Sequence, residues 1–194
     1  MTKMARKRKF TMGDLYLVTK ETLVDVGYNR FTFSILAEKL DISRGSIYKY
    51  FDNKEELITE YMVFEMNHFL IELRKINTYN GFEEQFDYLL HIIFNDNNIQ
   101  KIIGMGPQIQ SEGNKKVENN LEKLKELHFS MYTLLDDFIQ LGKEKNFIKN
   151  TLHNGVILGF IFQSIAIPNH YNLPREEWIS SLKEIIQYGV FQNN

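Results

Sequence analysis

Cysteine is absent from the 194 residues, which excludes disulfides, thiolate metal sites and cysteine nucleophiles. A reducing, cytoplasmic setting fits this usage. Proline occurs only three times and no Gly/Ser-rich linker interrupts the chain, a composition suited to compact helical packing. Long hydrophobic runs are missing too. The most apolar stretch, residues 155–168 (GVILGFIFQSIAIP), is shorter than the roughly 20 residues a membrane span needs and contains Gln163 and Ser164. It reads as a buried helix, and no membrane partner is expected. Neither a Gly-rich phosphate loop nor a nucleophile motif occurs, so the chain reads as a non-enzyme without a cofactor. The histidines at 68, 91, 128, 153 and 170 show no i, i+4 pair, and Glu65-x-x-His68 alone is a frequent coincidence on a helix. No metal site is expected from them.

Net charge is only −2, which by itself implies no partner, but its distribution is uneven. Residues 1–57 hold 11 Lys/Arg against 8 Asp/Glu, a net +3, whereas residues 58–194 hold 12 against 17, a net −5. The excess is concentrated in Lys3, Arg6, Lys7, Arg8 and Lys9, in a segment (MTKMARKRKF) lacking the apolar run of a signal peptide and read here as a basic arm. Arg30, Lys39, Arg44, Lys49 and Lys54 follow. Of these, Lys39 and Arg30 read as solvated.

Apolar spacing predicts helices almost throughout. The first runs from about Thr11 to Val26, with Leu15, Val18, Thr22 and Val26 inward and Gly27 as its stop. After a cap at Thr32, Phe33, Leu36, Ala37 and Leu40 give the i, i+3, i+4, i+7 pattern of a two-turn helix. Asp41 and Ile42 leave room only for a tight turn, and Ser43 is a suitable N-cap for a second short helix with Ile47 and Phe51 inward. Asn53-Lys54-Glu55-Glu56 resembles a capping box opening a long helix from Lys54 to about Ile76. Further helices are expected at about Phe82–Phe94, Asn98–Ile103, Asn114–Lys145, Leu152–Ile167 and Pro174–Phe191.

Within this series, residues 43–51 (SRGSIYKYF) resist simple burial. Tyr48 and Tyr50 are two apart and cannot share one helix face. Gly45 weakens a helix by roughly 1 kcal/mol relative to alanine unless something approaches the backbone there. Two short helices joined by a tight turn make a helix-turn-helix unit, whose second helix enters the DNA major groove. With Ile47 and Phe51 inward, Gly45 and Lys49 lie outward, Tyr48 on one flank, Ser46 and Tyr50 on the other, and Arg44 at the helix start. Glycine admits the groove wall, cations meet phosphates or guanine edges, and hydroxyls meet phosphate oxygens. Lys54 is placed to hold a neighbouring phosphate. The alternative is a purely structural helical hairpin.

The run from Phe31 to Leu57, FTFSILAEKLDISRGSIYKYFDNKEEL, resembles the DNA-binding signature of tetracycline-repressor (TetR) family transcriptional regulators. The shared elements are the Thr–apolar opening, the Leu36-Ala37 pair, Ser43-Arg44-Gly45, the aromatic-x-Tyr-Phe of Tyr48 to Phe51, and Lys54-Glu55-x-Leu57. Tyr50 stands where histidine is also common, and Ser34 and Ile35 where polar or acidic residues often occur. The resemblance implies an all-α fold with an N-terminal helix-turn-helix DNA-binding domain (1–57) and a C-terminal helical ligand-binding and dimerisation domain (58–194). It further implies a homodimer on a palindromic operator, usually a repressor, responsive to a small-molecule effector. DNA-contacting positions would be Arg44, Gly45, Tyr48, Lys49, Tyr50 and Lys54, with Thr32 and Ser43 at caps near the backbone.

In residues 58–194 the aromatic and thioether content suits an apolar cavity with a few polar groups, the alternative for each residue being core. The ligand-lining candidates are Phe64, Phe86, Met105, Tyr132 and Phe160, with His91, His128 and Gln163 as polar partners. Gly155 and Gly159 lie four apart in one apolar helix, beside Phe162, while Ile185 and Tyr188 lie on the last. By family analogy these five form the dimer interface, a four-helix bundle about a two-fold axis. A reading from a different class is a helical-bundle, metal-dependent enzyme or sensor using His91, His128 or His153, with an incidental helix-turn-helix. A third is a family member that binds DNA without an effector.

Overall fold

The structure, a computed structural model, describes residues 10–94, 102–164 and 166–190. The basic arm at 3–9, most of the helix expected at 98–103, and Phe191 lie outside the described residues. Eight α-helices and no β-strand occur among the described residues: α1 Met12–Arg30, α2 Phe33–Lys39, α3 Arg44–Ile47, α4 Lys54–Arg74, α5 Phe82–Phe94, α6 Lys115–Glu144, α7 Asn154–Ser164 and α8 Arg175–Val190. Short 3-10 turns occupy Lys75–Thr78 and Gly106–Gln108.

Local chemistry sets the helix starts. Thr11 and Asp14 exchange bonds as a capping box on α1: the Thr11 hydroxyl accepts from the Asp14 amide at 3.1 Å, and the Asp14 carboxylate accepts from the Thr11 amide at 2.8 Å. Gly27, at φ +74°, ends the regular part of α1 as expected, and one further turn reaches Arg30. The Thr32 hydroxyl accepts from the Ile35 amide at 3.4 Å to start α2. Asn53 Oδ1 accepts from the Glu56 amide at 2.8 Å to start α4. The return arm of this box differs from expectation: Glu56 Oε2 accepts from the amide of Asp52 at 3.1 Å, one residue before the cap. Asp41, at φ +49°, makes the turn between α2 and α3, a conformation short polar side chains tolerate.

The chain divides into two compact units, residues 1–65 with 101–124, and residues 66–100 with 125–194. The first unit therefore includes a segment, 101–124, that the sequence assigns to the second domain. Its core gathers Leu15, Leu23, Leu36, Ile47, Phe51, Leu57, Ile58 and Tyr61, joined by Ile102, Met105, Ile109 and Val117. Polar contacts dock the start of α6 on α4 within this unit. Asn114 caps α6 through Oδ1 and donates from Nδ2 to Glu56 Oε1 at 2.8 Å. Asn120 Nδ2 donates to Thr59 Oγ1 at 3.1 Å.

Glu56 is 4 % exposed. Burial disfavours its charge, but the bonds from Asn114 and the Asp52 amide, with the nearby Lys116 ammonium, outweigh this and hold its carboxyl below the usual range.

The second unit is built on α5, the later parts of α4 and α6, and the helices α7 and α8. Phe82 stacks on Phe138 (ring centroids 4.8 Å, 11°) and on Phe147 (5.2 Å, 16°). This stack requires Gly142. A Cβ there would stand 2.5 Å and 2.8 Å from two ring carbons of Phe82, itself only 2 % exposed, and 2.9 Å from Ile148 Cδ1.

Two predictions follow from this packing. Gly142→Ala, favourable by helix propensity alone, is expected to destabilise the protein by about 1–3 kcal/mol through overpacking, read as a lowered midpoint in urea. A carboxylate held below its unfolded value stabilises above the unfolded pKa and loses that contribution as pH falls toward the folded one. Wild type should therefore lose stability as pH is lowered below about 5, and Glu56→Gln should be less stable at pH 7 with a shallower acid slope in thermal melts.

Candidate nucleic-acid interface

The segment after the turn is anchored as its spacing predicts. Ile47 is 0 % and Phe51 1 % exposed, while Tyr48 and Tyr50 remain 53 % and 47 % exposed. Regular helix is shorter than expected, one turn from Arg44 to Ile47, but amide bonds from Tyr50 and Phe51 to the Ile47 carbonyl (2.9 and 3.2 Å) carry the winding on to Phe51. Each tyrosine ring rests edge-on against a neighbour, Tyr48 on Phe33 (5.0 Å) and Tyr50 on Phe10 (6.0 Å). The neighbours fix ring orientation, and neither hydroxyl bonds to a described residue. Lys49 is exposed and forms no ion pair among the described residues. Arg44 leans on Ser34, its Nη1 donating to Oγ at 3.4 Å.

Gly45 has open space where a side chain would stand: an added Cβ would meet only Ser43 Oγ, at 3.9 Å. Its φ is not in the left-handed region, so neither packing nor backbone conformation within the chain calls for glycine.

Two expectations need correction. Ser43 holds the N-cap position of α3, but its hydroxyl caps no amide, because it pairs with the hydroxyl of Ser46 at 2.9 Å. Lys54, expected to hold a phosphate, is engaged internally: its Nζ donates to the Tyr28 carbonyl at 3.0 Å and lies 4.1 Å from the centre of the Tyr28 ring. The same tyrosine donates its hydroxyl to Glu55 at 2.8 Å. Burial first, and then the Glu55 carboxylate, push the Tyr28 phenol well above the usual tyrosine range. Thr32 is exposed and committed to capping α2. Lys39 pairs with Asp25 at 2.7 Å and Arg30 donates to the Val26 carbonyl at 3.1 Å, so both serve local structure.

The ligand-lining candidates are divided between the two units. Phe86 is fully buried in the second unit's core, and Met105, 8 % exposed, belongs to the core of the first. Phe64 is also in the first unit, against Tyr16 at 4.8 Å. His91, Phe160 and Gln163 are exposed. His128 and Tyr132 do meet, with ring centroids 5.1 Å apart, and Tyr132 lies 5.8 Å from Phe162. Two clefts are lined by other, mostly polar residues. One of ≈ 610 Å³ lies among Tyr28, Asn53, Glu55 and residues 108–114 with 109 excepted. Another of ≈ 560 Å³ lies among Asp136, Lys143 and residues 150–154. No group of three metal-ligating side chains gathers among the described residues, and none of their helices is long and apolar enough to cross a membrane.

Of the interface candidates, Ile185 and Tyr188 on α8 are 58 % and 71 % exposed, Phe162 is half-buried, Gly155 is exposed, and Gly159 has nothing within 4 Å of an added Cβ. Val156 and Phe160 on α7 add exposed apolar surface, at 65 % and 46 %. Sequence reading passed over Lys116, whose place beside the recognition segment depends on a contact 66 residues away.

An all-helical chain with a helix-turn-helix near its start, and a glycine-admitting outward face bearing hydroxyls and a cation, is of the DNA-binding class. Residues 16–61 match the family model described as bacterial regulatory proteins, tetR family. The match covers the helix-turn-helix and the helices that flank it, so these residues are similar to the DNA-binding domain of that family. Three solved structures share the fold along nearly the whole chain. The fatty acid degradation regulator FadR from Bacillus halodurans is 19 % identical, covers 95 % of this chain and 97 % of its own, and has a TM-score of 0.71. The ketosteroid transcriptional regulator KstR2 of Mycobacterium tuberculosis is 16 % identical, covers 98 % of each, and has a TM-score of 0.73. FadR from Bacillus subtilis, in complex with stearoyl-CoA, is 19 % identical, covers 92 % and 99 %, and has a TM-score of 0.67. No protein of curated function matches the chain by sequence.

Because Gly45 is unconstrained among the described residues, Gly45→Ala should leave stability unchanged or raise it by up to about 1 kcal/mol through helix propensity, so the melting temperature should not fall. The same substitution should weaken duplex binding by about tenfold or more, a loss on the scale of one mismatched base pair, roughly 1–3 kcal/mol. Fluorescence anisotropy alongside calorimetry reads both.

Proposed function

We propose that this chain is a ligand-responsive transcriptional repressor that binds a palindromic operator as a homodimer. Residues 1–57 read the DNA, and residues 58–194 dimerise and bind the effector. The observation carrying this reading is the outward face of residues 44–50, where Gly45 leaves open space and Tyr48, Lys49 and Tyr50 offer groups uncommitted within the described chain. Arg44 extends the same face. Such a surface suits phosphate and base-edge contacts.

Dimerisation is supported by the exposed apolar side chains of α7 and α8, helices that pack against each other within the second unit. A homodimer carries two recognition segments, which would read half-sites about 34–36 Å apart when one DNA turn separates them. The effector is a small apolar or amphipathic molecule. The stearoyl-CoA bound by one structural neighbour and the ketosteroid in another's description support that chemical class. Effector binding would favour the dimer conformation that no longer matches the half-sites, a coupling of typically 1–3 kcal/mol. A cytoplasmic, non-enzymatic protein is the consistent setting.

Selection of bound sequences from random duplex DNA tests the reading. Wild type should enrich a palindrome, and Tyr48→Ala/Lys49→Ala should lose it at matched salt. Enrichment that survives the double substitution, or never occurs, refutes the assignment of this face. Ile185→Glu should sediment as a monomer with operator affinity reduced by about 100-fold or more, because one half-site supplies only part of the binding free energy. A variant that stays dimeric removes α8 from the interface.

A further inference from the structure

The first turn of α6 reaches the far end of the recognition segment through one side chain. Lys116 Nζ donates to the Tyr50 carbonyl at 3.1 Å and lies 4.5 Å from the centre of the Phe51 ring. Two carboxylates of α4 hold the amine in place, Glu60 at 3.4 Å and Glu56 at 3.6 Å. Glu56 is fixed in turn by Asn114 and the Asp52 amide. All of these residues lie within the first unit.

The place of the contact matters more than its strength. A carbonyl at the end of a helical segment lacks an intrahelical donor and favours a cation. Tyr50 supplies such a carbonyl while its side chain remains 47 % exposed on the outward face. Phe51 is one of the two buried anchors of that segment. With only one regular turn in α3, few internal hydrogen bonds hold residues 48–50. Their pose depends on what grips the two ends: α2 at the start, Lys116 at the finish.

We infer that Lys116 is a positioning residue for DNA recognition, holding the Tyr50–Phe51 end of the recognition segment from the first turn of α6. This rests on the DNA-binding reading of residues 44–50. It adds that their pose is set partly from residues 114–116, a segment outside the family's matched domain of 16–61. A surface lysine contacting phosphate directly would also weaken DNA binding when removed, and the salt dependence separates the two roles.

The test uses the full-length protein with Lys116→Met, which keeps an unbranched side chain over Phe51 while removing the amine, and Lys116→Arg, which restores a cation. Lys116 is 42 % exposed, so neither change opens the core. Without DNA, amide hydrogen exchange in the methionine variant should quicken at residues 47–51 while the amides of α1 stay as in wild type. With the selected duplex, affinity should fall by about tenfold, the loss of one charge-assisted contact, at an unchanged slope of log affinity against log salt. The arginine variant should recover most of the loss. A slope shallower by about 1 would make Lys116 a phosphate contact, and unchanged exchange at 47–51 would make the bond idle; either overturns the inference. If wild type enriches no duplex, the DNA-binding reading fails, and the inference with it; if wild type binds and only the exchange is unchanged, Lys116 alone is misassigned.

Discussion

Burial of Ile47 and Phe51 decides what every other side chain of the recognition segment can do. Four residues apart on a winding of 3.6 residues per turn, they commit one face to the core, at 0 % and 1 % exposure. Arg44, Gly45, Tyr48 and Lys49 are thereby left outside. Nothing in α3 itself would hold this orientation, since four residues form too short a helix to be stable alone. The hydrophobic anchors supply the constraint, with Leu36 and Ala37 of α2 and Leu57 and Ile58 of α4 in the same core. A polar residue at 47 or 51 would release the face as well as cost burial energy.

Three glycines meet three different physical demands. Gly27 sits at φ +74°, where a side chain would be strained, and it closes the regular part of α1. Gly142 lies in the middle of packing so close that a methyl group would strike Phe82 and Ile148. Gly45 meets neither demand. Among the described residues it is a small cost with no compensation, which is what the proposed close approach of DNA would supply. A residue that breaks a local rule without an internal reason is where function is expected.

Periodicity and capping made most of the fold legible. The starts at Thr32 and Asn53, the stop at Gly27, and the inward positions Leu36, Ala37, Ile47 and Phe51 are all set by interactions spanning a few residues, so local sequence contains them. What escaped detection is set over long separations. The Lys116–Tyr50 and Asn114–Glu56 bonds join residues 66 and 58 apart, and no pattern in either stretch signals the other. The ligand-lining candidates are ambiguous in a different way: Phe86 and Met105 carry the residue types a cavity needs, but those types also fill cores, and both side chains are buried. Lys54 shows the same limit for charge, because a lysine at a helix start is equally suited to a phosphate and to a nearby carbonyl.

That ambiguity bears on how the basic character of residues 1–57 should be read. A net +3 over this segment looks like an electrostatic footprint for DNA, yet Lys39 is neutralised by Asp25, and Arg30 and Lys54 are turned onto backbone carbonyls. Among the cations from Arg30 to Lys54, Lys49 is uncommitted and Arg44 is held only by a 3.4 Å bond to a hydroxyl. Long-range attraction depends on total charge, whereas register on the duplex depends on the few groups free to form short contacts. In this unit the lysines at the edges of the recognition segment serve mainly as fasteners. Lys54 ties the start of α4 to the end of α1, and Lys116 ties α6 to Tyr50. Their bonds commit positive charge to holding the proposed reading face still, so that the few free groups meet the duplex already in place.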